Sequence, residues 1–163
     1  MDITRNEVIS SKNQTVLHPI INAILLKAWN LKNMKTIITT KKAPAPIGPY
    51  NQAVLTGNTL YTSGQIAINP ESGALVLENI QSETRQVMEN MKQVLLAADM
   101  TFENVIKASI FISDMNNFSE INTVYGEYFN DETAPARETV EVANLPKFVN
   151  VEISMIAVKW LND

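Results

Sequence analysis

Residues 82–98 set Val87, Met91, Val94, Leu95 and Ala98 at helical spacing, and a few positions later the period changes. The stretch 105–112, VIKASIFI, is rich in β-branched residues, and a period of two puts Ile106, Ala108, Ile110 and Ile112 on one face. An amphipathic helix running straight into a half-buried strand excludes both an all-α bundle and an all-β sandwich. The alternation then repeats. Asn117-Phe118-Ser119-Glu120 reads as a capping box, and Phe118, Ile121, Tyr125 and Phe129 continue as a second apolar face. Ala134-Pro135-Ala136 interrupts the chain, and strands are expected around 139–143 and 151–158, separated by Leu145-Pro146-Lys147. Upstream, QAVLTGNTLYTSG reads as a hairpin with a Gly57-Asn58 turn, preceded by the proline-rich loop KKAPAPIGPY at 41–50. The expected order is a β-hairpin followed by α, β, α, β, β: an α+β domain with two helices on one face of a sheet. A sheet covered on one side leaves its other face for a second copy, so an oligomer is expected.

The chain has 163 residues, enough for one core without a disulfide or metal staple. Cysteine is absent, which removes thiol nucleophiles, Cys-ligated zinc and iron–sulfur clusters. His18 is the sole histidine, which excludes a multi-His metal site and argues against a Ser-His-Asp triad. Any catalysis must therefore use Glu, Asp, Tyr, Ser, Lys, Arg or backbone groups. Residues 1–33 carry a net charge of +2, whereas the remaining 130 carry −6. That acidic body disfavours nucleic acid, whose phosphates are bound chiefly by Lys and Arg. The apolar run at 20–26 is too short to span a bilayer and lacks a cleavage site, so neither membrane insertion nor secretion is expected. Residues 1–33 read as an extension, an accessory helix or a segment upstream of a start at Met34, with the globular domain at 34–163 and a cytoplasmic location.

Five segments in order, APAPIGPYNQAV, YTSGQIAINPESG, FISDMNNFSEINTVYGEYF, PARETVEVANLP and VEISMIAV, closely resemble the RidA/YjgF family. These are the reactive-intermediate (enamine/imine) deaminases, formerly called L-PSP endoribonucleases. The resemblance runs from about Met34 to Lys159. It implies a chorismate-mutase-like α+β fold with a mixed sheet, a homotrimer, and ligand clefts between subunits. It also implies hydrolysis of 2-imino acids and their 2-enamino tautomers, such as 2-iminobutanoate and 2-iminopropanoate, to 2-keto acids and ammonia without a cofactor. By the same resemblance Arg137 is the substrate clamp, Glu152 the water-orienting carboxylate and Tyr50 the third catalytic residue. Ser63, Asn122 and Thr139 join Arg137 in substrate binding, and no metal is implied. Two departures stand out. Thr139 occupies a position where some members have Cys, and the first helix closes on Ala97-Ala98-Asp99 where Gly is usual, a residue that accepts a left-handed cap more readily than Asp.

The residue types suit that chemistry. A guanidinium meets a carboxylate with two parallel hydrogen bonds and stays charged. Beyond the extension only Arg85 and Arg137 offer one, and Arg85 falls on the polar face of the first helix. A protonated imine carbon needs no Lewis acid; Glu152 can accept the proton of the attacking water, and Tyr50 or Ser63 can relay protons. Taken singly, each residue also has a plainer reading: Arg137 as a surface ion-pair partner, Glu152 as the solvent side of an alternating strand, Tyr50 as a loop anchor. Two other classes of function stay open beside the deaminase: a regulatory trimer that senses keto or amino acids without turnover, and an endoribonuclease.

Overall fold

The computed structural model describes residues 35–160, together with Ile21 and Asn22. His18, Met34 and nearly all of the extension lie outside the described residues. Six strands form one mixed sheet: β1 (Lys35–Ile38), β2 (Ala53–Thr56), β3 (Thr59–Thr62), β4 (Val105–Ile112), β5 (Ala136–Glu141) and β6 (Val151–Val158). Helix α1 (Ile80–Ala97) joins β3 to β4, and helix α2 (Phe118–Gly126) joins β4 to β5. The spatial order is β1-β2-β3-β6-β4-β5, with β4 and β5 parallel and every other pair antiparallel. A parallel pair cannot be closed by a hairpin, so α2 serves as the crossover that returns the chain to the starting end of β4.

The α+β fold with two helices and a mixed sheet agrees with expectation, and β1 is an addition to it. Its four residues KTII are mostly exposed, and only Ile38 reaches the core, so no alternating pattern announces it. The β2–β3 hairpin turns at Gly57-Asn58, with Gly57 at φ 60°, the left-handed first position that a two-residue turn of this kind demands.

Strand β6 lies at the centre of the sheet and alternates without a break. Val151, Ile153, Met155 and Ala157 are buried, while Glu152, Ser154, Ile156 and Val158 face the other way. Val87, Met91 and Leu95 of α1 and Ile121 and Tyr125 of α2 pack with them into one core. On β4 the expected face requires a correction. Val105, not Ile106, joins Ala108, Ile110 and Ile112 in the core, because a register irregularity between Val105 and Lys107 resets the alternation and leaves Ile106 exposed.

The helix termini divide between agreement and correction. Asn79 caps α1, with its side chain accepting from the Ser82 N–H while the Ser82 hydroxyl accepts from the Asn79 N–H. At the other end Met100 N–H reaches Leu95 O at 3.0 Å and Asp99 N–H reaches Leu96 O at 3.1 Å, the Schellman arrangement, with Asp99 at φ 54°. The capping box expected at Asn117 is absent. A 3-10 turn, Met115–Asn117, runs directly into α2, so Asn117 is itself helical and Asp114 supplies the cap, accepting from Asn116 N–H at 2.9 Å. Arg85, on the polar face of α1 as expected, also forms a two-bond pair with Glu127, at 2.5 and 2.8 Å, tying α1 to the end of α2.

Candidate active site

The sequence-predicted residues gather into two groups on opposite faces of the sheet. Register decides this. Arg137 on β5 stands beside Ala108 of β4, which is fully buried beneath the helices, so Arg137 shares the helix-covered face. Glu152 on β6 stands beside Phe111, three residues further along β4 and therefore on the open face.

The first group is Arg137, Asn122 and Thr139. Arg137 follows Pro135 at the start of β5, and Asn122 projects from α2, the crossover that delivers the chain to that strand. Arg137 Nη1 donates to Asn122 Oδ1 at 2.7 Å, and the guanidinium carbon lies 5.1 Å from the Tyr125 ring centre and 5.8 Å from that of Phe118. No carboxylate among the described residues forms an ion pair with Arg137. The cavity here, about 370 Å³, is bordered by Asn122, Tyr125, Phe129, Pro135 and Arg137. Thr139, two residues along the same face of β5, has a buried hydroxyl with no hydrogen-bond partner among the described residues.

The second group is Tyr50, Ser63 and Glu152, in a cavity of about 680 Å³ that is mainly apolar, with Pro44, Ile47 and Ile66 among its walls. Beyond β3 the chain 63–65 runs beside β6, fixed by Gln65 N–H to Ile153 O at 2.8 Å and Ile153 N–H to Gln65 O at 3.1 Å. Glu152 therefore lies directly against Gly64: a Cβ built there would stand 2.6 Å from its Cδ and 2.8 Å from its Cγ. Only glycine leaves the carboxylate that space. Burial pushes the Glu152 carboxyl above the ordinary carboxylate range, and among the described residues no cation pairs with it, although Lys147 also borders the cavity. Ser63 borders the cavity and its Oγ donates to Asn51 O at 2.6 Å, so toward any other group it can act only as an acceptor. Tyr50 is half-exposed, and its hydroxyl accepts weakly from Ile47 N–H at 3.3 Å.

Sequence reasoning missed the residue that shapes this cavity. Gln52 is 2% exposed; its amide donates to Thr40, Ala43 and Pro44 carbonyls at 2.9–3.1 Å and accepts from Thr40 N–H at 2.6 Å. One side chain thus holds the proline-rich loop that carries Tyr50. A glutamine between a loop and an apolar strand run is the signal, though nothing in one sequence says that it is buried. Among the described residues no cluster of acidic or imidazole side chains could hold a metal, and no helix is long and apolar enough to cross a membrane.

Comparison with known proteins adds to this geometry. Residues 40–159 match the family model described as Endoribonuclease L-PSP. A RutC family protein of Pyrococcus horikoshii is 50% identical over 126 residues, 77% of this chain and 99% of that protein. A bovine protein named 2-iminobutanoate/2-iminopropanoate deaminase is 47% identical over 126 residues, covering 77% of this chain and 91% of its own. Among solved structures, YyfA of Yersinia pestis, from the conserved Rid family, is 48% identical with a TM-score of 0.75, covering 77% of this chain and all of that one. Escherichia coli TdcF, solved with bound serine, is 42% identical with a TM-score of 0.72 and covers 77% of this chain and 99% of its own. With the family model matching most of the chain and relatives near half identity aligned almost end to end, the chain belongs to the RidA/YjgF family, the group that carries the older description Endoribonuclease L-PSP.

Proposed function

We propose that this chain is a cofactor-independent deaminase that hydrolyses small 2-imino acids, of the 2-iminobutanoate and 2-iminopropanoate kind, to 2-keto acids and ammonia. One observation carries the reading. Among the described residues the fold keeps a guanidinium that no carboxylate pairs and a desolvated carboxylate that no cation pairs, each at a cavity. A 2-imino acid has complementary needs: an anionic carboxylate to be held and an electrophilic carbon awaiting water. The two Arg137 nitrogens not engaged by Asn122 grip the substrate carboxylate. Glu152, its carboxyl made more basic by burial, accepts a proton as water adds to the iminium carbon. The resulting carbinolamine expels ammonia, with the Tyr50 hydroxyl passing the proton that the departing nitrogen takes, and a 2-keto acid remains.

Because the two groups occupy opposite faces of one sheet, the working site is shared between copies, with Arg137 from one subunit meeting Glu152 of the next in a homotrimer. The open face supports such an assembly, since Val54, Tyr61, Phe111, Val140 and Ile156 leave apolar surface on it beside the Lys107–Glu138 pair. Activity belongs to residues 34–163, in the cytoplasm, so a chain beginning at Met34 should turn over normally.

The test generates imine in situ with an amino-acid oxidase in the presence of semicarbazide; the deaminase slows semicarbazone formation in proportion to its concentration. Arg137→Ala and Glu152→Gln chains should each be inactive, yet co-assembled mixtures should recover activity, since a mixed trimer contains an intact Arg137 facing an intact Glu152. An unchanged semicarbazone rate with wild-type protein would refute the activity, and mixtures that stay dead would refute the shared site.

A further inference from the structure

Arg137 is the one group of the proposed site whose charge cannot be tuned, so its performance depends on where its fork points. Three contacts determine that. Asn122 holds Nη1 at 2.7 Å, the Tyr125 ring lies 5.1 Å from the guanidinium carbon, and the Phe118 ring lies 5.8 Å away. All three residues belong to α2, at positions 118, 122 and 125, one stripe of a helix. The Tyr125 ring cannot drift. It is 4% exposed and tilts onto Phe129 at 4.7 Å; Phe129 meets Phe102 edge-on at 5.3 Å, and Phe102 meets Tyr128 at 5.2 Å. The Tyr125 hydroxyl is buried and has no hydrogen-bond partner among the described residues. Burial pushes its pKa to about 12, so it stays neutral and offers Arg137 no ionic partner. What remains is the face of the ring, whose negative quadrupole attracts a guanidinium at this distance.

We propose that Tyr125, assisted by Phe118, is a positioning residue: its buried ring is the platform that aims the free side of the Arg137 fork at the substrate carboxylate. The inference rests on the carboxylate clamp proposed above and assigns the residue that makes it rigid. The ring matters and the hydroxyl does not.

The experiment titrates 2-oxobutanoate, the keto-acid product of 2-iminobutanoate, into the full-length chain and its Arg137→Ala, Tyr125→Phe, Tyr125→Leu and Phe118→Leu variants, with the imine assay alongside. Oligomer mass and circular dichroism check assembly. Tyr125→Phe should bind like wild type. Tyr125→Leu should weaken binding about fivefold and raise KM with little change in kcat, since the clamp acts on the carboxylate before and during reaction. Phe118→Leu should weaken binding about twofold; because Phe118 is 37% exposed, this variant decides the matter should Tyr125→Leu fail to assemble. Wild-type affinity in both leucine variants, with loss in Arg137→Ala, would overturn the platform and leave the clamp standing. Equal loss in Tyr125→Phe and Tyr125→Leu would also overturn it, by assigning the effect to the hydroxyl. Wild-type affinity in Arg137→Ala would overturn the clamp itself.

Discussion

The Arg137 cavity and the Glu152 cavity prepare opposite kinds of group by opposite means. Around Arg137 the surroundings are polar and aromatic, and the fold controls direction: an amide oxygen and two rings hold one side of the guanidinium and leave the other open. Around Glu152 the walls are mainly apolar and the fold controls proton affinity, because partial burial raises the carboxyl. A permanent charge gains from rigid aim, whereas a general base gains from a pKa nearer to working pH. Placing both in one cavity would destroy the second effect, since a guanidinium within a few ångströms would lower the carboxyl again. Within one subunit the thickness of the sheet separates the two groups, so each cavity shapes its own residue.

The comparison breaks most sharply at Arg137. Arg137→Ala should lower kcat/KM about a hundredfold, roughly 3 kcal/mol, and should weaken 2-oxobutanoate binding in parallel. Arg137→Lys should also fail substantially, because an ammonium cannot reproduce two parallel bonds. An Arg137→Ala protein of correct oligomer mass with unchanged turnover would remove the directional half of the contrast.

Gln52 tests whether the second cavity has an architect of its own. Gln52→Leu leaves the Thr40, Ala43 and Pro44 carbonyls without their amide, so stability in urea should fall by about 2–3 kcal/mol. Turnover should fall through Tyr50 while the Arg137 cavity is spared. An unchanged urea midpoint would show that the loop is held by its prolines alone.

Gly64→Ala should reduce kcat about tenfold while 2-oxobutanoate affinity holds, because the added methyl displaces Glu152 and leaves Arg137 untouched. Equal loss of binding would show that the two cavities are coupled more closely than their faces suggest.

Asp99→Gly lies in neither cavity and serves as the control. It should raise stability by about 0.5–1 kcal/mol by relieving a left-handed residue, at the expense of one exposed Lys159 contact worth little. Turnover per active site should not move, and a change in it would contradict the locality of both cavities.

The smallest effect is electrostatic. A carboxyl raised on folding binds its proton more tightly in the native state, so its contribution to stability declines as pH rises from the ordinary carboxylate range through the raised value. Glu152→Gln should therefore melt slightly higher than wild type at neutral pH, with the difference vanishing below the ordinary range. An equal difference at both pH values would mean that burial does not penalise the charge.

Much of this was open to reading from residue order, and the exceptions share a cause. The period of α1 and the alternation of β6 survive intact in the fold, because 3.6 and 2 are properties of the backbone itself. Ile106 was misplaced because a single irregularity reverses every side chain beyond it, and no residue between Val105 and Lys107 advertises one. Strand β1 escaped notice because four exposed residues at an edge carry no buried face. The capping box at Asn117 matched in composition and failed in geometry, since a preceding 3-10 turn had already made that residue helical.

Residue identity alone therefore determined which groups can do chemistry here: one arginine just after a proline, one glutamate inside an apolar strand, no thiol, and an α+β alternation to carry them; that the arginine lies within a strand, β5, was decided by the fold. Tertiary structure decided which of them meet. That Arg137 faces the helices and Glu152 the open side follows from strand register, and that Gly64 lies over Glu152 follows from pairing between residues 88 positions apart. A period of two states that neighbours alternate; which face each alternate takes depends on what the other strands and helices cover, and no local stretch of chain contains that information.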